Sequence, residues 1–313
     1  MLRAVNPVPA CDHLSGGDAG RLPGTMKALT FGAGPPEELW IMFKPNHLKR
    51  RLLAGEALFG AWIETGSATV AEILSHQGFD FFILDLEHGQ GDLKDVVDVL
   101  RAIQGSGTPC IVRVPWNDPV MLKRILDAGV NSVMIPSVET ASEAEAAVRA
   151  CRYPPGGRRG YAAPLVRASS YGAVTDYAKR ANEDFLLVIQ LESAEAVGRA
   201  AEICAVDGVD VPFLGVNDMA GSIGRLEQLD NPEVRDLVIQ AETAMRASGK
   251  PMGTVPSAGA TWEALLEAGY QLLPVASDVG LLRDAAMAVV AEQRRHRRRE
   301  SEAGSPATPR PTY

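Results

Sequence analysis

Between residues 42 and 292 short aliphatic runs alternate with stretches of helical period. "LFGAWIETG" reads as a strand, and "ATVAEILSHQG" as a helix with Gly at its stop. "FDFFILDLEH" is a second strand, followed by the helical "DLKDVVDVLRAIQGSG". "PCIVRVPW" with "DPVMLKRILDAG", and "SVMIPSVE" with "TASEAEAAVRACRY", repeat the unit. After a longer insertion come "FLLVIQLES" and "AEAVGRAAEICAV". "VDVPFLGVND" then precedes a helix near 232–248. "PMGTVPS" leads into "GATWEALLEAGY", and "QLLPVAS" into "DVGLLRDAAMAVVAEQ". Eight strand–helix units in about 250 residues predict a (β/α)8 TIM barrel. Helix starts carry Thr, Ser or Asp, and several stops carry Gly, as capping chemistry requires. An open doubly wound sheet would place a Gly-rich turn after the first strand, and "ETGSATV" is not one.

Composition narrows the class. The chain is 46% hydrophobic and 22% charged, with few aromatics, as suits aliphatic strands under helices. A net charge of −8 argues against a nucleic-acid binder, which needs a Lys/Arg surplus. No apolar run reaches the roughly 18 residues of a membrane span, and no signal peptide is evident. Cys11, Cys110, Cys151 and Cys204 lie far apart with no Cys-x-x-Cys pair, so a reducing cytoplasm is expected. Residues 1–41, rich in Gly and Pro, read as a disordered extension, with Met42 a credible true start. Residues 293–313 read as a basic, Ser/Pro-rich disordered tail.

Chemistry in such a barrel sits at the C-terminal strand ends. The second strand ends in Asp85, Glu87 and His88, and the third carries Arg113. The fifth carries Gln190 and Glu192, and the sixth ends in Asn217 and Asp218. Polar groups on apolar strands cost about 1–3 kcal/mol each when unpaired, so four strands carrying them toward one mouth point to a site. Each also has a structural reading. Arg113 would pair with Glu192 in a polar barrel layer, Asp218 would cap a helix, Asp85 and Glu87 would complement a helix dipole, and His88 would be a satisfied partner of Asp85.

Glu192 and Asp218 are 26 residues apart, about one repeat, so they can stand level on adjacent strands. Two oxygen ligands with room for water and substrate suit a hard cation, Mg²⁺ or Mn²⁺, rather than a closed zinc site. His88 is the histidine at a strand end and the natural acid or base, with Asp85 placed to orient it. Arg113 offers a planar fork to a carboxylate or developing enolate. A cation, a base and an arginine suggest carbon–carbon chemistry on a 2-oxo acid. The lysines fall in termini, in helices or on the wrong side of a strand, which disfavours a Schiff-base route.

"DLEHG", "VRVPWNDP", "LDAGV", "RYPPGGRRG", "VRASSYG", "IQLES" and "VDGVDVPFLGVND" together resemble the metal-dependent, class II pyruvate aldolases. These are the 4-hydroxy-2-oxoheptanedioate and 2-dehydro-3-deoxyglucarate aldolases, related to citrate lyase β-subunits. The resemblance covers roughly residues 42–290. It implies a phosphoenolpyruvate/pyruvate-type barrel, an exchanged terminal helix and a homohexamer. It also implies a divalent cation (Mg²⁺ or Mn²⁺, with Co²⁺ a third candidate) on Glu192 and Asp218. By the same resemblance His88, supported by Asp85, handles the hydroxyl proton, and Arg113 holds the 2-oxo acid. Gln190, Trp62, Gly215 and Asn217 line the substrate, and Asp127 supports a neighbouring subunit's site. "GVNDMA" departs from the family's usual Gly-Pro-Ala-Asp-Leu-Ser, with Val216 and Asn217 replacing Pro-Ala, and Ala276 stands where a Gly is usual.

The expected reaction is reversible cleavage of a 4-hydroxy-2-oxo acid to pyruvate and an aldehyde. A related 2-oxo acid decarboxylase or acyl-CoA lyase is one alternative, and a catalytically inactive binding barrel another. An acyl-CoA ester would want a basic groove, for which "PPGGRRG" (154–160) is the nearest segment. The insertion at 153–184 and the loops after the first and seventh strands are expected to set the aldehyde half.

Overall fold

A computed structural model describes residues 45–303 except Ala258, with side chains to residue 299. The 1–41 extension and residues 304–313 lie outside the described residues. Eight strands form a closed parallel barrel in chain order. They are β1 (Leu58–Ile63), β2 (Phe81–Asp85), β3 (Cys110–Arg113), β4 (Ser132–Ile135), β5 (Leu186–Leu191), β6 (Val211–Leu214), β7 (Met252–Thr254) and β8 (Tyr270–Ser277). Helix α1 (His47–Leu53) precedes the barrel. The wall is α2 (Ala68–Ser75), α3 (Leu93–Ala102), α4 (Pro119–Asp127), α5 (Ala141–Cys151), α6 (Tyr177–Asp184), α7 (Ala194–Gly198), α8 (Ala200–Ala205), α9 (Val216–Ser222), α10 (Pro232–Ala247) and α11 (Trp262–Glu267). Helix α12 (Asp278–Ala303) ends the described chain.

Strand alternation builds two cores. Phe82, Leu84, Val112, Val133, Leu187 and Ile189 face outward onto the helices. Phe81, Ile83, Ile111, Met134, Leu186, Val188, Val211 and Phe213 fill the interior, with Leu48 and Leu52 of α1 packed among them. Asn46 caps α1 by accepting the Lys49 N–H, and its amide donates to Ser132 Oγ at 2.9 Å and to the Asn131 carbonyl. Lys49 pairs with Asp210 at 2.9 Å. The amphipathic opening "HLKRRLL" thus plugs the N-terminal end, and chemistry is left to the other mouth.

Three elements differ from the sequence pattern. "AEAVGRAAEICAV" is two helices, broken at Arg199, which closes α7 and opens α8. The insertion contains α6. Helix α12 carries the arginine run past residue 292 to Ala303, its turns supported by pairs such as Glu292–Arg295.

Candidate active site

Parity decides which polar groups reach the mouth. Asp85 follows Phe81 and Ile83 on the inward face, Arg113 follows Ile111, and Gln190 and Glu192 follow Leu186 and Val188. The register sets Asp85 directly beside Arg113. Asp85 is 0% exposed, and Arg113 grips it as a fork, Nε to Oδ1 at 2.8 Å and Nη2 to Oδ2 at 2.7 Å. Burial pushes the Asp85 carboxyl up, but the guanidinium outweighs it and holds Asp85 below the usual carboxylate range. The guanidinium also lies over the Trp62 indole, 4.4 Å from the ring centroid, and its Nη1 is 3.0 Å from Glu87 Oε2. Arg113 therefore pairs with Asp85 and Glu87, and no direct Arg113–Glu192 pair occurs among the described residues.

The expectation that Asp85 orients the His88 ring needs correction. Besides Arg113, Asp85 Oδ1 accepts the backbone N–H groups of Glu87 at 3.0 Å and His88 at 3.4 Å. It positions the turn that carries His88 through backbone groups, and no hydrogen bond from the imidazole to Asp85 occurs among the described residues. The imidazole itself is 67% exposed, with Nε2 3.9 Å from Glu87 Oε2. Glu87 is no helix-dipole residue either. Asp92 caps α3, while Glu87 is half-buried in the site, where burial raises its carboxyl and Arg113 opposes the rise.

Glu192 is held by three donors. Its Oε1 accepts the Ser137 N–H at 2.6 Å and the Ser137 hydroxyl at 3.0 Å, and its Oε2 accepts the Gln190 amide at 2.7 Å. With two lone pairs on each oxygen, Oε2 keeps one acceptor position open. Burial raises the Glu192 carboxyl, and the Ser137 donors counter it. Ser137 aims both groups by adopting φ 53°, a left-handed conformation uncommon outside glycine. Ser137 has one signal in the sequence, a hydroxyl just after the apolar strand in "SVMIPSVE". Gly215 explains itself by close approach, because a Cβ there would lie 2.7 Å from Glu192 Cβ and 2.9 Å from Oε2.

Asp218 is the third residue of α9, not its cap; Gly215 holds that position without a side-chain bond. Exposed and uncommitted to capping, Asp218 joins Glu87, His88, Ser137, Glu139 and Glu192 around a cavity of about 130 Å³. Asn217, on the same turn, is not part of that wall. Asp127 ends α4 at the opposite end of the barrel, 2.8 Å from buried Arg159, so within one chain it stands away from the cavity.

No three His, Cys, Asp or Glu side chains converge on a metal position among the described residues. Two carboxylates with an open acceptor position do share the cavity, and the buried Gln190 Oε1 beside them has no hydrogen-bond partner. These hard oxygen donors fit a cation of the Mg²⁺ type, which keeps positions for water and substrate.

The HpcH/HpaI aldolase/citrate lyase family model matches residues 58–285. The chain is 38% identical over 247 residues to a hydroxypyruvate/pyruvate aldolase of Sagittula stellata, covering 79% of this chain and 97% of that protein. It is 40% identical over 230 residues to a 2-dehydro-3,6-dideoxy-6-sulfogluconate aldolase of Pseudomonas putida, covering 74% and 90%. A crystal structure of an HpcH/HpaI aldolase/citrate lyase family protein from Burkholderia cenocepacia superposes with a TM-score of 0.76 at 38% identity, covering 80% and 99%.

Proposed function

Because the chain belongs to the HpcH/HpaI aldolase/citrate lyase family, we propose that it is a divalent-cation-dependent carbon–carbon lyase. It reversibly cleaves a 4-hydroxy-2-oxo acid to pyruvate and an aldehyde. The observation that carries this reading is the shared cavity of His88, Glu192 and Asp218 beside the clamped Arg113.

Glu192 and Asp218 would hold the cation, which when bound supplies a Lewis acid for the keto oxygen and the enolate charge. Arg113 still has N–H donors on both Nη atoms after pairing with Asp85, and directs them at the 2-oxo acid carboxylate and the developing enolate. Its immobility matters, since a donor already fixed by Asp85 and Trp62 need not reorganise during the reaction. His88 takes the 4-hydroxyl proton as the C3–C4 bond breaks. His88→Ala should lower kcat by about 10²–10⁴ without changing the fold. Coupled detection of released pyruvate measures this, and a variant of wild-type rate would remove His88 from the mechanism. Full activity after exhaustive EDTA treatment would remove the cation.

Gly215→Ala tests how finely Glu192 is placed. The added methyl must move the Glu192 side chain, and a displacement near 1 Å at such a site costs about 10²-fold. That loss should appear in kcat/KM while the melting temperature changes little.

Of the arginines in "PPGGRRG", Arg159 is buried against Asp127 and Tyr177, so that segment turns half its charge away from any nucleotide phosphate. This favours the aldolase over an acyl-CoA lyase. No described helix is long and apolar enough to cross a membrane. Helix α12 leaves Leu282 at 69%, Met287 at 63% and Val289 at 59% exposed. Exposed apolar side chains repeated along one helix support a homo-oligomer in which a second copy covers it, a hexamer by resemblance. Leu282→Asp should lower the mass measured by light scattering; an unchanged assembly would place the interface elsewhere.

A further inference from the structure

Besides Glu87 and Glu139 of the cavity wall, Glu64 is a carboxylate that the reaction above does not use. Along β1 the inward face runs Leu58, Gly60, Trp62 and on to Glu64 just past the strand. Leu58 lies in the interior, the Phe81 ring occupies the space beside Gly60, and Trp62 backs Arg113. Ser277 neighbours the Glu64 carboxylate and favours its charged form, and the Ser277 oxygen accepts the Gly280 N–H at 3.0 Å. Glu64 is half-buried and keeps acceptor capacity on its carboxylate. Asp278, next to it, is different. It accepts the backbone N–H groups of Glu64, Thr65 and Val279 and the Thr65 hydroxyl, sealing the β8–β1 seam with nothing left for a ligand.

Charge around the mouth is uneven. Asp85 is neutralised by Arg113, which Glu87 shares, and Glu192 with Asp218 would match a divalent cation. One charge of Asp85 and Glu87 and that of Glu139 stay unmatched, and Glu64 and Asp278 add negative charge on the β1–β8 side, with no salt bridge to either among the described residues. In the closed barrel β1 lies across from β5, so the Glu64 end of β1 stands across the mouth from the Glu192 end of β5.

We propose that Glu64 selects the aldehyde half of the substrate, accepting a hydroxyl of an uncharged hydroxyaldehyde and rejecting an aldehyde that carries a second anionic group. This rests on the aldolase reading. The attractive part is a charge-assisted hydrogen bond, and the repulsive part is a like charge in a partly desolvated site. Burial, with Asp278 and Asp85 beside it, raises the Glu64 carboxyl, while Ser277 and Arg113 oppose the rise.

The test uses the full-length enzyme with Mg²⁺ or Mn²⁺, condensing pyruvate with glyceraldehyde or with succinic semialdehyde. Wild type should favour glyceraldehyde in kcat/KM. Glu64→Gln keeps an oxygen for Ser277 but loses the charge, and should reduce that preference by about tenfold or more. KM for pyruvate should stay within about twofold, because the uniform binding of that half is untouched. Glu64→Asp should retain the preference. An unchanged ratio in Glu64→Gln, or a wild type that prefers succinic semialdehyde, overturns the assignment of Glu64 alone. A wild type that condenses neither aldehyde overturns the aldolase reading beneath it.

Discussion

Arg113→Met should cost about 3–5 kcal/mol of unfolding free energy, far more than a surface change, because it leaves a buried carboxylate unpaired. Asp85 is 0% exposed, and its partners besides Arg113 are two backbone N–H groups. Urea unfolding followed by circular dichroism measures the loss. The pH dependence carries the sharper test. In wild type the Asp85 carboxyl is held low, so its contribution is present above the unfolded carboxylate range and is lost as pH falls through the depressed folded value. In Arg113→Met only burial acts strongly, so the Asp85 carboxyl moves up and the variant is penalised at neutral pH but not once the carboxyl is protonated. The gap between the two proteins should therefore shrink as pH drops from 7 toward 4. The double variant Asp85→Asn/Arg113→Met should recover part of the loss, since no charge is then stranded. A gap that stays constant with pH, or a double variant as unstable as the sum of the singles, would mean that Asp85 and Arg113 are not a stability pair.

The barrel was legible because its strands are apolar on both faces and its helices are capped by the residues capping requires. "FFILD" shows the limit of that signal. Its run of apolar residues announces a buried strand, yet only the period of two assigns Phe81, Ile83 and Asp85 to the interior. The positions of Asp85, Arg113, Gln190 and Glu192 follow from that period. What Asp85 bonds to does not, because a pairing across neighbouring strands depends on register, and register gave it Arg113 instead of the His88 ring. The capping alternative for Asp218 does not hold, because the short helix at "VNDMAGS" opens on Gly215, whose closeness to Glu192 leaves no room for a side chain. Ser137 was invisible for a related reason. Its role comes from a backbone conformation rather than from a spacing. Glu64 and Asp278 meet only when β8 closes on β1, a contact between residues more than two hundred positions apart.

Glu192→Gln should abolish cation-dependent pyruvate release, by on the order of 10³-fold, while leaving the protein as stable as wild type. The stability half of this prediction comes from the hydrogen bonds. A glutamine oxygen at the Oε1 position still accepts both Ser137 donors. The new amide nitrogen would face the Gln190 nitrogen, but Gln190 can turn its amide over and present its Oε1, which has no partner in the present arrangement. Removing the charge also relieves a carboxylate that burial disfavours in its ionised form. The activity half comes from the cation. With Glu192 neutral, Asp218 is the remaining charged oxygen ligand of the pair, exposed on the first turn of α9. Mn²⁺ binding followed by electron paramagnetic resonance should weaken in parallel with pyruvate release, and excess Mn²⁺ should restore little of it. A variant that binds Mn²⁺ like wild type would show that the ion is not seated on Glu192. A variant that loses both binding and its melting transition would make Glu192 a structural group, and the open acceptor position on its Oε2 would lose its meaning.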